Sequence, residues 1–103
     1  MFLARVIGSV VSTKKDEAMK GRKLVVLRPL LVDEANPAQL RSGANTIVAV
    51  DALGAGLDEV VLFCQGSSAR QASGMKTLPV DAVIVGIVDT VDVLNQKIYP
   101  AKK

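Results

Sequence analysis

Histidine and tryptophan are missing from this chain, cysteine occurs once, and the aromatic residues are limited to Phe2, Phe63 and Tyr99. Without histidine there is no imidazole base, no imidazole metal ligand and no Ser-His-Asp or Cys-His arrangement. The single Cys64 can form neither a disulfide within the chain nor a cluster of thiolate ligands, and such usage fits a reducing cytoplasm. Long apolar runs are missing as well. The longest, Val83 to Val88 and Val60 to Cys64, fall far short of the roughly 20 residues that cross a bilayer as a helix. No membrane span is expected. The start, Met1 to Arg5, lacks a basic region ahead of an apolar block and a small-residue cleavage site, so secretion is not expected either.

What is present suits β-structure. Of 103 residues, 50% are hydrophobic, and with so few rings the core must be built from Val, Leu, Ile and Ala, a composition that favours strands. The chain reads as a single domain over residues 1–103, with a core small enough that association would add stability. Neither an internal repeat nor a low-complexity segment is visible.

From Phe2 to Ser12 both alternating sets of side chains are partly apolar, and Gly8 in the middle predicts a bend or bulge. Phe2, Val6 and Val10 are expected inside, with Leu3, Ile7 and Val11 outside. Thr13 to Lys23 reads as a charged hairpin loop. Leu24 to Val32 is the second strand, and Pro29 places it at an edge or beside a bulge. Asp33 to Asn45 has no period and is expected to be a surface loop. Thr46 to Asp51 and Asp58 to Gln65 are the third and fourth strands. Ala69 to Ser73 suggests a brief helix capped by Ser67 or Ser68 and stopped by Gly74. Val80 to Val88, apolar but for Asp81 and Gly86, predicts a fifth strand buried on both faces. Leu94 to Tyr99 could add a last short strand, with Asn95-Gln96 as the turn before it. Five strands and one small helix match a compact OB-like β-barrel, so the fold class is mainly all-β.

Three segments taken in order carry a more specific signal: A-R-V-I-G-S-V-V-S-T from Ala4, D-A-L-G-A-G-L-D-E-V-V-L-F-C-Q-G-S-S-A-R from Asp51, and P-V-D-A-V-I-V-G-I-V-D from Pro79. In this ordered combination the chain resembles the EutN/CcmL family of bacterial microcompartment vertex proteins, over nearly its whole length. The resemblance implies a barrel of the same kind assembled as a homopentamer shaped like a truncated pyramid, with a narrow opening along its axis. It further implies a structural shell protein, carboxysome-type or catabolic, that sits in the cytoplasm and meets hexameric shell tiles. Carried over by motif, Gly66, Ser67, Ser68 and Arg70 fall at subunit contacts near that axis; the alternative for them is a helix cap beside a solvated arginine. Two departures stand out: Asp33 to Asn45 is longer than the matching turn in many members, and Val60 stands where many carry tryptophan.

Read on their own, Gly54 and Gly56 supply a tight turn with Asp58, and not a dinucleotide loop. Glu59 stands where the third glycine belongs, and a strand follows where a helix is needed. Gly66 to Arg70 lacks the closing glycine and the histidine of a nucleophile elbow, but it gathers N–H groups, hydroxyls and a guanidinium that suit an anion or a neighbouring subunit. The outward apolar residues of the first strand and of Val80 to Val88 suit a ring interface between identical subunits, or else one tightly filled core.

A net charge of +3, with Lys14, Lys15, Lys20, Arg22, Lys23, Lys102 and Lys103 gathered in a loop and a tail, raises single-stranded nucleic-acid binding as the rival function. Binding of that kind needs several exposed rings, and Phe2 and Phe63 lie in apolar strands, leaving Tyr99. Asp89 and Asp92 form the nearest approach to a catalytic carboxylate pair, and no nucleophile or metal partner converges on them. No catalysis, metal or cofactor is therefore expected.

Overall fold

The computed structural model describes residues 1–13, 15–37, 39–72, 74–75 and 80–100. Lys14 of the basic loop, Ser73 at the expected helix end, Pro79, and the tail lysines Lys102 and Lys103 lie outside the described residues, as does the side chain of Ser68.

Eight strands follow one another: β1 Phe2–Val10, β2 Lys23–Val32, β3 Leu40–Ser42, β4 Ile47–Asp51, β5 Val60–Gln65, β6 Ala82–Ile87, β7 Val91–Val93 and β8 Gln96–Tyr99. The sheet runs β1-β5-β6-β4-β2-β3, and β1 also pairs with β2, so five strands close a barrel with β3 appended outside it. β4 and β6 pair in parallel through Val50 and Val83; the other pairings are antiparallel. A 3₁₀ helix, Gly66–Gln71, spans part of the connection from β5 to β6, and a second, Glu17–Met19, lies in the β1–β2 loop.

Alternation along the strands sorts the apolar residues into two clusters on either side of the barrel wall. Ala4, Val6, Val25, Leu27, Ala49, Val61, Phe63, Ala82 and Ile84 fill the interior. Their neighbours in sequence, Val50 and Val83, point outward and are covered by Ala69, Met75 and Val80, with Leu24, Cys64 and Met19 alongside. Ala69, Ala72, Met75 and Val80 thus seal one flank of the barrel. This explains how Ala82 to Ile84 can be buried on both faces in so small a fold. The rest of β6 is not: Val85 is an extra residue opposite the Leu62/Phe63 step and is exposed, so burial on both faces holds for half of the expected strand.

The β1 bulge sets the other faces. Val6 pairs with Leu27, but Gly8 pairs with Val26, leaving Ile7 as the extra residue. One extra residue reverses the alternation beyond it. Val10, expected inside with Val6, therefore pairs with the outward-facing Leu24, and Ile7 and Val11 are exposed. Phe2, also expected inside, lies at the barrel mouth: it is 51% exposed, with its ring 5.5 Å from that of the buried Phe63.

Pro29 does not interrupt β2. Its carbonyl accepts the Gly43 N–H at 2.8 Å, so its nitrogen faces the same side, in the gap where β2 changes partner from β4 to β3. The N–H that Pro29 lacks would have met the Gly43 carbonyl, which instead accepts from the Arg28 guanidinium at 3.3 Å. Replacing Arg28 by methionine is expected to cost about 1 kcal/mol and to lower the melting temperature by roughly 5 °C in a chain of this size, as read by thermal unfolding.

Two further expectations are corrected. Asp33 to Asn45 is not all loop, because Leu40–Ser42 adds to the edge of β2; three residues are too few for alternation to register. The last turn is Leu94-Asn95, with φ 49° and 64°, joining β7 to β8 as a two-residue hairpin. Leucine is an uncommon choice for a left-handed position, which is why the sequence pointed one residue later.

Candidate subunit interface

Asp51 ends β4 and has almost no exposed surface. Its carboxylate accepts the N–H groups of Leu53 at 2.9 Å, Gly54 at 3.1 Å and Ala55 at 2.8 Å. Lys23, directly opposite on β2, brings its ammonium to 3.5 Å from the carboxylate and donates to the Ala55 carbonyl at 3.0 Å. An aspartate bonded to backbone N–H groups two to four residues on winds the chain into a compact turn. Gly54 takes φ 85° within it.

The turn is then clamped to the β1 bulge. Asp58, at φ 70°, donates its N–H to the Val6 carbonyl at 2.8 Å, the Val6 N–H donates to the Glu59 carbonyl at 2.9 Å, and Arg5 donates to the Asp58 carbonyl at 2.8 Å. The Glu59 carboxylate reaches back to the Gly56 N–H. A Cβ on Gly56 would come within 3.1 Å of that carboxylate, so the glycine leaves room for the contact.

This tightly held turn presents leucine to solvent. Leu57 is 67% exposed and Leu53 51%, and Leu57 lines a shallow groove with Ile7 and Gly8 of the bulge. Val11, 90% exposed, follows at the end of β1. Apolar side chains on a rigid support lose little freedom on docking, which is the condition for a productive contact. Sequence reasoning named Gly54, Gly56 and Asp58 but missed Asp51, Lys23 and Leu57. The pattern D-x-x-G-x-x at the end of a strand held the signal for Asp51.

Gly66, Ser67, Ser68 and Arg70 all lie in the Gly66–Gln71 3₁₀ helix. The helix begins at Gly66, so the serines sit inside it and not at its cap. Gly66 takes φ 69° and donates to the Asp81 carbonyl at 2.7 Å. Ala69 is fully buried and anchors the helix to the barrel, leaving Gly66, Ser67 and Arg70 exposed. The turn precedes β5 and this helix follows it, so the two groups stand at opposite ends of that strand, roughly 20 Å apart by its rise per residue. They form two different surfaces.

The fold agrees with the comparisons. The family described as "Ethanolamine utilisation protein EutN/carboxysome" matches residues 1–89. The chain belongs to the EutN/CcmL family. Among EutN/CcmL relatives, the carboxysome shell vertex protein CcmL of Gloeobacter violaceus is 47% identical over 102 residues, covering 99% of this chain and 96% of the relative. The bacterial microcompartment shell vertex protein GrpN of Rhodospirillum rubrum is 45% identical over 95 residues, 92% of this chain and 100% of the relative. The solved structure of Gloeobacter violaceus CcmL superposes with a TM-score of 0.82 over 96% of both chains. The Rhodospirillum rubrum structure, described as a pentameric microcompartment shell protein, superposes at 0.76 with 45% identity, over 90% of this chain and 100% of that one.

In this EutN/CcmL chain Val60, the first residue of β5, is fully buried.

Proposed function

We propose that five copies of this chain close into a ring that occupies a vertex of a bacterial microcompartment shell, in the cytoplasm, where hexameric shell tiles meet its sides. A flat lattice of six-fold tiles closes only when some positions have one neighbour fewer, and a five-fold unit supplies them. The work is geometric, and the complete lack of histidine supports a role without catalysis. The names of the relatives, shell vertex proteins of carboxysomes and of other microcompartments, favour this reading over an OB-like module for single-stranded nucleic acid or anions.

The observation that carries the proposal is the exposed leucine pair on a turn held by a buried carboxylate. A ring needs a head-to-tail contact between two different patches, because a self-complementary patch stops at a dimer. The two ends of β5 meet that need: an apolar knob of Leu53, Leu57 and Ile7 at one, and the polar helix with Ser67 and Arg70 at the other. Stable contacts of this class bury about 1,200 Å² or more in total.

Arg70 tests the second patch. Arg70→Ala is expected to weaken the ring about tenfold, the loss of one charge-assisted hydrogen bond, seen as partial dissociation in sedimentation velocity at low micromolar concentration. An unchanged ring, together with unchanged shell closure on co-assembly with hexameric shell proteins, would take Arg70 out of the interface.

A further inference from the structure

β3 ends the six-stranded sheet. Its pairing alternates in a way that can be read from one bond. Gly43 donates to the Pro29 carbonyl, which makes that a hydrogen-bonded pair; the next pair, Leu30 with Ser42, is then non-bonded, Leu31 with Arg41 is bonded, and Val32 with Leu40 is non-bonded. The N–H and C=O groups of Leu40 and Ser42 therefore point away from β2. Among the described residues no backbone partner meets them.

Facing that edge is the β7–β8 hairpin, a separate two-stranded sheet. A cleft of about 770 Å³ lies between β3 and the β8 side of the hairpin, and its lining includes the buried Leu30 and Ile98, with Arg5, Lys97 and Tyr99. Among the described residues no carboxylate lines it. Arg5 donates one N–H to the Asp58 carbonyl and lies 5.9 Å from the centre of the Tyr99 ring; a guanidinium carries more donors than that bond uses. An unpaired strand edge, two apolar side chains and two cations that form no ion pair among the described residues thus share one cleft, Lys97 having Asp92 opposite it on the far strand of the hairpin.

We infer that this cleft binds an extended acidic segment of a partner protein, which adds a strand to the free edge of β3. Leu40 and Ser42 supply the ladder bonds, Leu30 and Ile98 accept one aliphatic side chain, and Arg5 and Lys97 meet the carboxylates on either side of it. The cleft adjoins the turn that precedes β5 through Arg5, which also bonds the Asp58 carbonyl, so the substitutions that test it are placed at Lys97 and Ser42, away from that turn.

The test uses the full chain in its native assembly and three fluorescein-labelled, blocked peptides: Glu-Val-Glu-Val-Glu, Lys-Val-Lys-Val-Lys and Glu-Val-Glu-Val-Glu N-methylated at every residue. By fluorescence anisotropy at low salt, the first is expected to bind saturably and the other two at least about tenfold more weakly, since one reverses the charge and the other cannot donate ladder bonds. Lys97→Glu is expected to weaken the first peptide about fivefold. Ser42→Pro removes an outward N–H without touching the β2 ladder and is expected to weaken it to a similar degree. Mass measurement in the same samples checks that both variants assemble as the parent does. Absence of saturable binding, equal binding of the two acidic peptides, or binding indifferent to both substitutions would overturn the inference.

Discussion

Replacing Leu57 with aspartate is expected to abolish the ring while leaving the barrel folded. In the isolated chain this side chain is 67% exposed, so the substitution removes little buried apolar surface, and its effect on the fold should stay within about 0.5 kcal/mol. In the ring the same position would be covered. The change then loses the burial of a leucine, about 1.5–3 kcal/mol, and forces a carboxylate out of water without a partner, which costs more. Every contact around the ring carries the defect. The association is expected to weaken by more than about a thousandfold at each interface, giving monomers at micromolar concentration with an unaltered circular dichroism spectrum. A variant that remains a ring places Leu57 outside the interface; one that unfolds means the turn is part of the core.

Asp51→Ala is expected to have the larger effect on the subunit itself. Three N–H groups lose a charged acceptor at once, two of them part-buried and that of Ala55 buried, and Lys23 loses its counter-ion. Unmade bonds of this kind cost 1 kcal/mol or more each, so a loss of about 3 kcal/mol and roughly 15 °C in melting temperature follows for a domain of this length. Because the carboxylate also holds the turn that carries Leu53 and Leu57, ring affinity should fall with stability. Denaturant titration reads the first effect and sedimentation velocity the second. Asp51→Asn keeps one acceptor oxygen and should fall between the parent and alanine. Full stability in the alanine variant would mean that the backbone shapes the turn without its carboxylate.

The barrel was legible in the sequence because its evidence is periodic. Alternating Val, Leu, Ile and Ala between glycine-bearing turns marked five strands, and Gly8 marked the bulge. The consequence of that bulge was harder to read. One extra residue at Ile7 reverses every side chain beyond it, so Val10 moved from the expected interior to the outer face, and nothing in the local composition announces such a reversal. Phe2 was misplaced for a related reason: a strand's first residue has the phase of the core without its depth. β3 and β7, of three residues each, are too short to carry a pattern.

At the candidate site the glycines and Asp58 were readable as turn residues, but the group that organises the turn was not. Asp51 lies at the end of an apolar strand, and only the fold brings it opposite Lys23 on β2. The G-S-S-A-R string was visible as a unit, and what it packs on, through Ala69, is a cluster assembled from β2, β4, β5 and β6. Local strings announce turns; which surfaces those turns expose is decided by contacts distant in sequence.

Native mass spectrometry of the unmodified chain tests the central claim most directly, because it counts subunits and needs no partner. The account predicts a dominant species at five times the 10.8 kDa chain mass, persisting to low micromolar concentration. A monomer as the dominant species under those conditions would contradict it.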